Sequence, residues 1–230
     1  MGNSRVVTLF VKRYLRAGVK TRDKILKTAL MLFNERGEAH VALGQIATRL
    51  GISEGNLWYH FRTKDDLVTA LFAELEARIE DHLARRPEDF GPSLADFAEH
   101  ARQSYRFMWD YRFLYRHRYD PEAESALAVR IAHLIERAHR HVEGVLAEMV
   151  RRGLMRATTT EIADLAVNAW IISRYWLDYL QERHGRDKIG ESDLQAGVKQ
   201  LFALYHPYLT EAALAEVAAA AAPKRKMAQG

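Results

Sequence analysis

Residues 46–61 read Ile46-Ala47-Thr48-Arg49-Leu50-Gly51-Ile52-Ser53-Glu54-Gly55-Asn56-Leu57-Trp58-Tyr59-His60-Phe61, and the reading of this stretch decides the fold. Ile46, Ala47 and Leu50 share one face of a short helix, Leu43–Leu50, which Gly51 ends. Ser53 is a good N-cap for a next helix running to Phe61. The two helices meet across a tight turn at Gly51-Ile52. Small Ala47 sits at their contact, and apolar Ile52 and Leu57 pin the second helix. That is the pattern of a helix-turn-helix. With Leu57 inward, about 100° per residue points Gly55 and Tyr59 outward, with Asn56 and Trp58 beside them and Glu54 and His60 at the sides. This face suits a major groove, because Gly55 lets the backbone come close and Asn56 can pair bidentately with adenine.

Outward from that stretch the chain reads as helices only. Before it, Thr21–Arg36 carries Ile25, Ala29, Leu32 and Phe33 on one face, with Asp23 near its start and Gly37 beyond its end. After it, Thr63-Lys64-Asp65-Asp66 has the spacing of a capping box opening a long helix through Leu83. Pro87 and Gly91-Pro92 close this head. The next helix starts at Ser93 and runs towards Asp110. Asp120-Pro121-Glu122 opens another to Arg152, Thr160–Arg183 ends at Gly185, and Ser192–Tyr205 ends before Pro207. A last helix runs from Thr210 into the alanines at 218–222. The prediction is an all-α protein, a three-helix head on a larger helical body.

Composition narrows the function. The 230 residues are 48% apolar, enough for a sizeable core, and contain no cysteine, which excludes thiol nucleophiles and thiolate metal sites. No apolar run has the length of a membrane span or of a secretory segment, so a soluble, cytoplasmic protein is expected. The net charge of +4 is uneven: residues 1–64 hold 12 Lys/Arg against 4 Asp/Glu, a net of +8, which leaves −4 on the rest. A basic head on an acidic body suggests nucleic-acid binding. Five of the basic residues, Arg5, Lys12, Arg13, Arg16 and Lys20, lie in the first twenty. They read as a minor-groove arm or as an extension with generic phosphate affinity. Catalysis is not expected. There is no His-x-x-x-His pair, His139 and His141 point apart on one helix, and no nucleophile elbow, phosphate loop or dinucleotide fingerprint occurs. No metal or cofactor is implied.

Residues 21–72 resemble the DNA-binding head of the TetR/AcrR repressors. The resemblance rests on Leu32-Phe33-Asn34-Glu35-Arg36-Gly37, Ile46-Ala47, Leu50-Gly51-Ile52-Ser53, Leu57-Trp58-Tyr59-His60-Phe61, Lys64 and Leu67 at unbroken spacing. It implies base readers at Glu54, Gly55, Asn56, Trp58 and His60, and phosphate contacts from Tyr59 and Lys64. Glu54 is awkward beside an anionic duplex; it accepts from a cytosine N4 or acts against wrong sequences. Ala42 replaces the threonine that caps the second helix in the family, and Gly44 stands where relatives carry a longer polar reader. Weaker anchoring by that helix follows.

The implied organisation is a basic extension (1–20), a helix-turn-helix domain (21–67), a ligand-binding and dimerisation body (68–222) and a basic tail (223–230). The implied function is a dimeric, sequence-specific transcriptional regulator, a repressor, on a palindromic operator of double-stranded DNA. Its release would come from a small hydrophobic, anionic effector. The resemblance implies a cavity in the body. Residues 105–119, seven of fifteen aromatic, serve as core packing or as one wall of it. Its candidate lining is Trp109, Phe113, Trp170 and Tyr175, with Arg106, Arg112 or Arg174 for an anionic group. The candidate homodimer interface is Leu165, Ala169, Ile172, Trp176 and Leu180, then Leu194, Val198, Leu201 and Tyr205, forming a four-helix contact between subunits. The alternative is a DNA-binding structural or division factor of the same fold that needs no small-molecule inducer.

Overall fold

The structure, a computed structural model, describes residues 20–116, 126–184 and 191–221. The predicted arm (1–19), the Asp120-Pro121-Glu122 start signal, the stop at Gly185 and the tail from 223 lie outside the described residues. The helices are α1 (Thr21–Arg36), α2 (Leu43–Leu50), α3 (Glu54–His60), α4 (Lys64–Leu83), α5 (Leu94–Asp110), α6 (Arg112–Arg116), α7 (Ala126–Arg151), α8 (Thr159–His184), α9 (Glu191–Tyr205) and α10 (Glu211–Ala221). The aromatic run breaks at Tyr111, between α5 and α6, as two helical pieces and not as a strand. Among the described residues the only sheet-like pairing is an isolated bridge, Met155 to Leu209.

The chain divides into two compact units. Of the described residues, the first comprises those up to Leu75 together with 111–116. The expected division after residue 67 lies within α4, and the compact units part further along the same helix, after Leu75; Leu67, Val68, Leu71, Phe72 and Leu75 are all buried. The same unit buries Ile25, Leu26, Ala29, Leu32 and Phe33 of α1, Ile46 and Ala47 of α2, and Leu57 of α3. Residues 111–116 return to this unit. Phe113 is buried with its ring 5.2 Å from Phe33, and its backbone N–H donates to Asn34 Oδ1 at 3.1 Å.

The second unit holds Glu76–Asp110 and the chain from Tyr119 on. One core cluster gathers Phe90, Leu94, Phe97, Leu146, Met149, Met155, Leu165, Ala166 and Ala213; another gathers Tyr105, Ala169 and Leu201. Gly197 lets α9 approach α5, since a Cβ there would lie 2.7 Å from Tyr105 and 2.8 Å from Trp176. Arg152 ties the 87–91 loop to the end of α7. Its guanidinium donates to the carbonyls of Phe90, Gly91, Pro87 and Glu88 and to Glu148. The hydrogen bonds from Arg151, and then from Arg152, hold the Glu148 carboxyl down at about 2.

Candidate nucleic-acid interface

The helix-turn-helix is built as its residues dictate. Gly51, at φ 68° and ψ 33°, takes the left-handed conformation that a side chain resists. Its N–H bonds to the Thr48 carbonyl and that of Ile52 to the Ala47 carbonyl, each 3.1 Å, the paired bonds of a Schellman stop. Ser53 Oγ accepts from the Asn56 N–H at 3.2 Å and caps α3. Ala42 offers α2 no capping oxygen, as expected from its side chain. Gln45 compensates in part, its Oε1 accepting the Ala42 N–H at 3.0 Å.

Leu57 is the one fully buried residue of α3, and it fixes which face looks out. Glu54, Gly55, Asn56, Trp58 and Tyr59 are exposed, and His60 is half-buried. Tyr59 is 85% and Trp58 52% exposed, a large cost in apolar surface for a seven-residue helix unless something covers it. The Tyr59 and His60 rings meet edge to face at 5.1 Å. Among the described residues no side chain bonds to the Asn56 side-chain amide, which stays open on the outward face.

Lys64, the expected phosphate contact, is tied to Glu38. Its Nζ donates to the Glu38 carbonyl at 3.0 Å and pairs with Glu38 Oε1 at 3.3 Å, which holds the 38–40 turn to the start of α4. The capping box there is complete. Thr63 Oγ1 accepts the Asp66 N–H (3.1 Å), and Asp66 Oδ2 accepts from Thr63 (2.9 Å) and Arg62 (3.1 Å). Those bonds, Thr63's first, lower the Asp66 pKa.

The first unit also has a feature the sequence did not announce, an open groove lined by Leu32, Arg36, Gly44, Gln45, Thr48, Arg49 and Glu54. Its signal was the pairing of a glycine in α2 with a glutamate opening α3. Gly44 is short because the Glu54 carboxylate occupies the space a longer side chain would fill: a Cβ on Gly44 would lie 2.5 Å from Glu54 Oε1.

Comparison with known proteins agrees with this geometry. Residues 25–71 match the family model described as bacterial regulatory proteins, tetR family. Residues 74–217 match the one described as a bacterial transcriptional repressor, so together the two span most of the chain. The chain belongs to the TetR family. It is a TetR-family DNA-binding transcription regulator, and such regulators are not enzymes. Over 78 residues it is 37% identical to the HTH-type transcriptional regulator TtgR of Pseudomonas putida, covering 34% of this chain and 37% of TtgR. It is 30% identical over 114 residues to the HTH-type transcriptional repressor NicS of the same species, half of each chain. The matched stretches thus span from about a third to half of these curated relatives. A crystal structure of a TetR-family transcriptional regulator from Marinobacter aquaeolei matches over 88% of this chain and 97% of its own, at 28% identity and TM-score 0.77.

TetR-family membership does not locate an effector, and the seven candidate lining residues are not brought together. Arg112 and Phe113 belong to the first unit, where Phe113 packs on Phe33 and is unavailable to a cavity of the second. In the second unit Arg106 is exposed, and Trp109 and Trp170 are half-buried. Arg174 pairs with Asp178 at 3.6 Å and lies over the Tyr175 ring, which is itself exposed. What the sequence missed is a histidine cluster from three helices. The His82 and His100 rings stack at 3.8 Å, His100 Nε2 is 2.8 Å from His141 Nε2, and His82 Nε2 is 2.9 Å from Ser104 Oγ. The Ser104 hydroxyl donates to the His100 carbonyl, so it accepts from His82. Burial, reinforced by their neighbours, pushes His82 down to about 4 and His100 to about 3. His141 is lowered by burial as well. The cluster is therefore neutral at pH 7. Among the described residues His100 Nδ1 is buried without a hydrogen-bond partner, and burial raises the Tyr105 hydroxyl to about 12 against the opposing effect of a hydrogen bond with Ser173.

The residues expected at the dimer interface are used inside the chain. Leu165, Ala169, Leu180, Leu194 and Leu201 are buried, and Ile172, Trp176, Val198 and Tyr205 pack around Tyr105. Trp176 Nε1 also donates to the Asp193 carbonyl at 2.8 Å. The helix α8 is apolar on more than one side, and the face that stays exposed is Val167, Ile171, Tyr175 and Tyr179.

Proposed function

We propose that this TetR-family regulator is a cytoplasmic homodimeric repressor that reads a palindromic operator with the outward face of α3 and leaves it when a small molecule binds the second unit. The observation that carries the DNA reading is the exposed set Gly55, Asn56, Trp58 and Tyr59, held outward by buried Leu57. In the two-fold dimer the recognition helices sit about one helical turn of DNA apart, on the order of 34–36 Å. Asn56 selects bases, with Gly55 admitting the backbone and Trp58 and His60 reading base edges alongside it. Tyr59 positions the helix on the phosphates. Lys64 serves first as the tie that shapes the α4 start.

The homodimer contact proposed now is the α8 stripe Val167, Ile171, Tyr175 and Tyr179. These residues recur every fourth position and leave an apolar strip uncovered. The effector is a small hydrophobic molecule, anionic or protic. Support for a polar recognition end comes from the buried His100 Nδ1, which has no hydrogen-bond partner among the described residues and which a ligand group would satisfy. Binding in the second unit releases DNA by favouring a head spacing that no longer matches the grooves.

The testing experiment is footprinting on the promoter of the adjacent genes, with fatty acids and acyl thioesters titrated into the bound complex. A protected palindrome, released by one of these compounds with a matching thermal shift, is the expected result. No protection anywhere overturns the DNA reading; protection without release or shift overturns the effector reading.

A further inference from the structure

The groove between α1, α2 and the start of α3 contains charges that the protein leaves unused. Arg36 and Arg49 line it with Glu54, and among the described residues none of the three makes an ion pair or side-chain hydrogen bond. The Glu54 carboxylate lies against Gly44, where a Cβ would come within 2.5 Å of its Oε1. Gly44 is what allows this, and the Thr48 hydroxyl and Gln45 amide that border the groove are spent on α2's own backbone. A carboxylate in that position lowers the positive potential of two arginines at the surface that meets DNA.

We propose that Glu54 is an internal counter-charge and not a base reader: seated against Gly44 in the groove that Arg36 and Arg49 also line, it holds a site that a DNA backbone phosphate takes over on docking. Glu54 thus weakens backbone attraction on every sequence, which leaves discrimination to Asn56 and its neighbours. Arg36 and Arg49 become phosphate contacts. The inference rests on the reading of α3 as the DNA-facing helix, and the test separates the two.

Binding of the full-length protein to an operator and to a random duplex is measured across salt for the wild type and a set of variants. Glu54→Gln tightens both duplexes alike, about threefold to tenfold, and steepens the dependence of log K on log salt by about one unit. Gly44→Ala, which pushes the carboxylate off its seat, moves binding in the same direction. Arg49→Gln in the Glu54→Gln background returns the slope to its wild-type value. Asp23→Asn removes a carboxylate at the far end of α1 and leaves the slope unchanged, and thermal melts confirm that each variant is folded. If Glu54→Gln weakens the operator and spares random DNA, Glu54 reads a cytosine and the proposal fails. It also fails if the slope does not change or if Asp23→Asn matches Glu54→Gln. Should Asn56→Ala and Tyr59→Ala both leave DNA binding intact, the α3 reading falls and this inference with it. If those two weaken binding and Glu54→Gln has no effect, only this inference falls.

Discussion

Helices α3 and α8 both expose aromatic rings, Trp58 and Tyr59 on one, Tyr175 and Tyr179 on the other, yet only the first could be oriented from its sequence. The helix α3 is seven residues long with one large aliphatic side chain, Leu57. A single anchor leaves one way to turn the helix, so every other residue follows by rotation. In the 26 residues of α8, apolar residues lie on more than one side, and two faces compete for the interior. Leu165, Ala169, Ile172 and Trp176 win inside the chain because α5 and α9 offer Tyr105, Leu201 and the space over Gly197. That competition is decided by tertiary packing, which residue periodicity alone does not encode.

Breaking the anchor of α3 is the strongest test of this contrast. Leu57→Ala should cost about 2–5 kcal/mol in the unfolding of the first unit and abolish DNA binding, as read by denaturant melts and gel shift. Trp176→Ala should carry a similar stability cost in the second unit and leave the dimer intact. A dimer lost with unchanged stability would put Trp176 back at the interface.

The second test uses acid. The folded pKa values of His82 and His100 lie below the unfolded value of about 6.5, so the unfolded chain takes up protons first as pH falls. The stability they contribute is complete above pH 6.5 and is lost between there and about 4 and 3, as the unfolded chain binds protons that the buried rings do not. Chemical denaturation at stepped pH measures it. His100→Gln should flatten the slope; an unchanged slope would mean that the buried cluster does not govern acid stability.

The exposed face of α8 is probed more gently. Tyr175→Ser should weaken dimerisation about tenfold, roughly 1.4 kcal/mol, in sedimentation equilibrium, with the melting curve unchanged. The smallest effect is at the α3 cap, where Ser53→Ala should cost about 1 kcal/mol and lower operator affinity to match.

The same contrast explains what the sequence disclosed. Helix order, the Gly51 turn, the Ser53 cap and the Thr63–Asp66 box depend on neighbours within a few residues, and each stands in the structure as its residues require. Contacts across the chain were not legible. Lys64 is 26 residues from the Glu38 carbonyl that it grips. Asn34 and Phe113 are 79 apart. His82, His100 and His141 come from three helices with no spacing that relates them. The Glu54–Gly44 contact lay between these extremes, since both residues were visible and only their contact was not.

The central claim, that the outward face of α3 chooses the sequence, is tested most directly by selecting bound duplexes from a random pool with the wild type and with Asn56→Ala. The wild type should select a palindrome with half-sites about one helical turn apart. The variant should select the same palindrome, relaxed at one symmetry-related pair of positions. An identical motif from both proteins, or no enriched motif from the wild type, would contradict the claim.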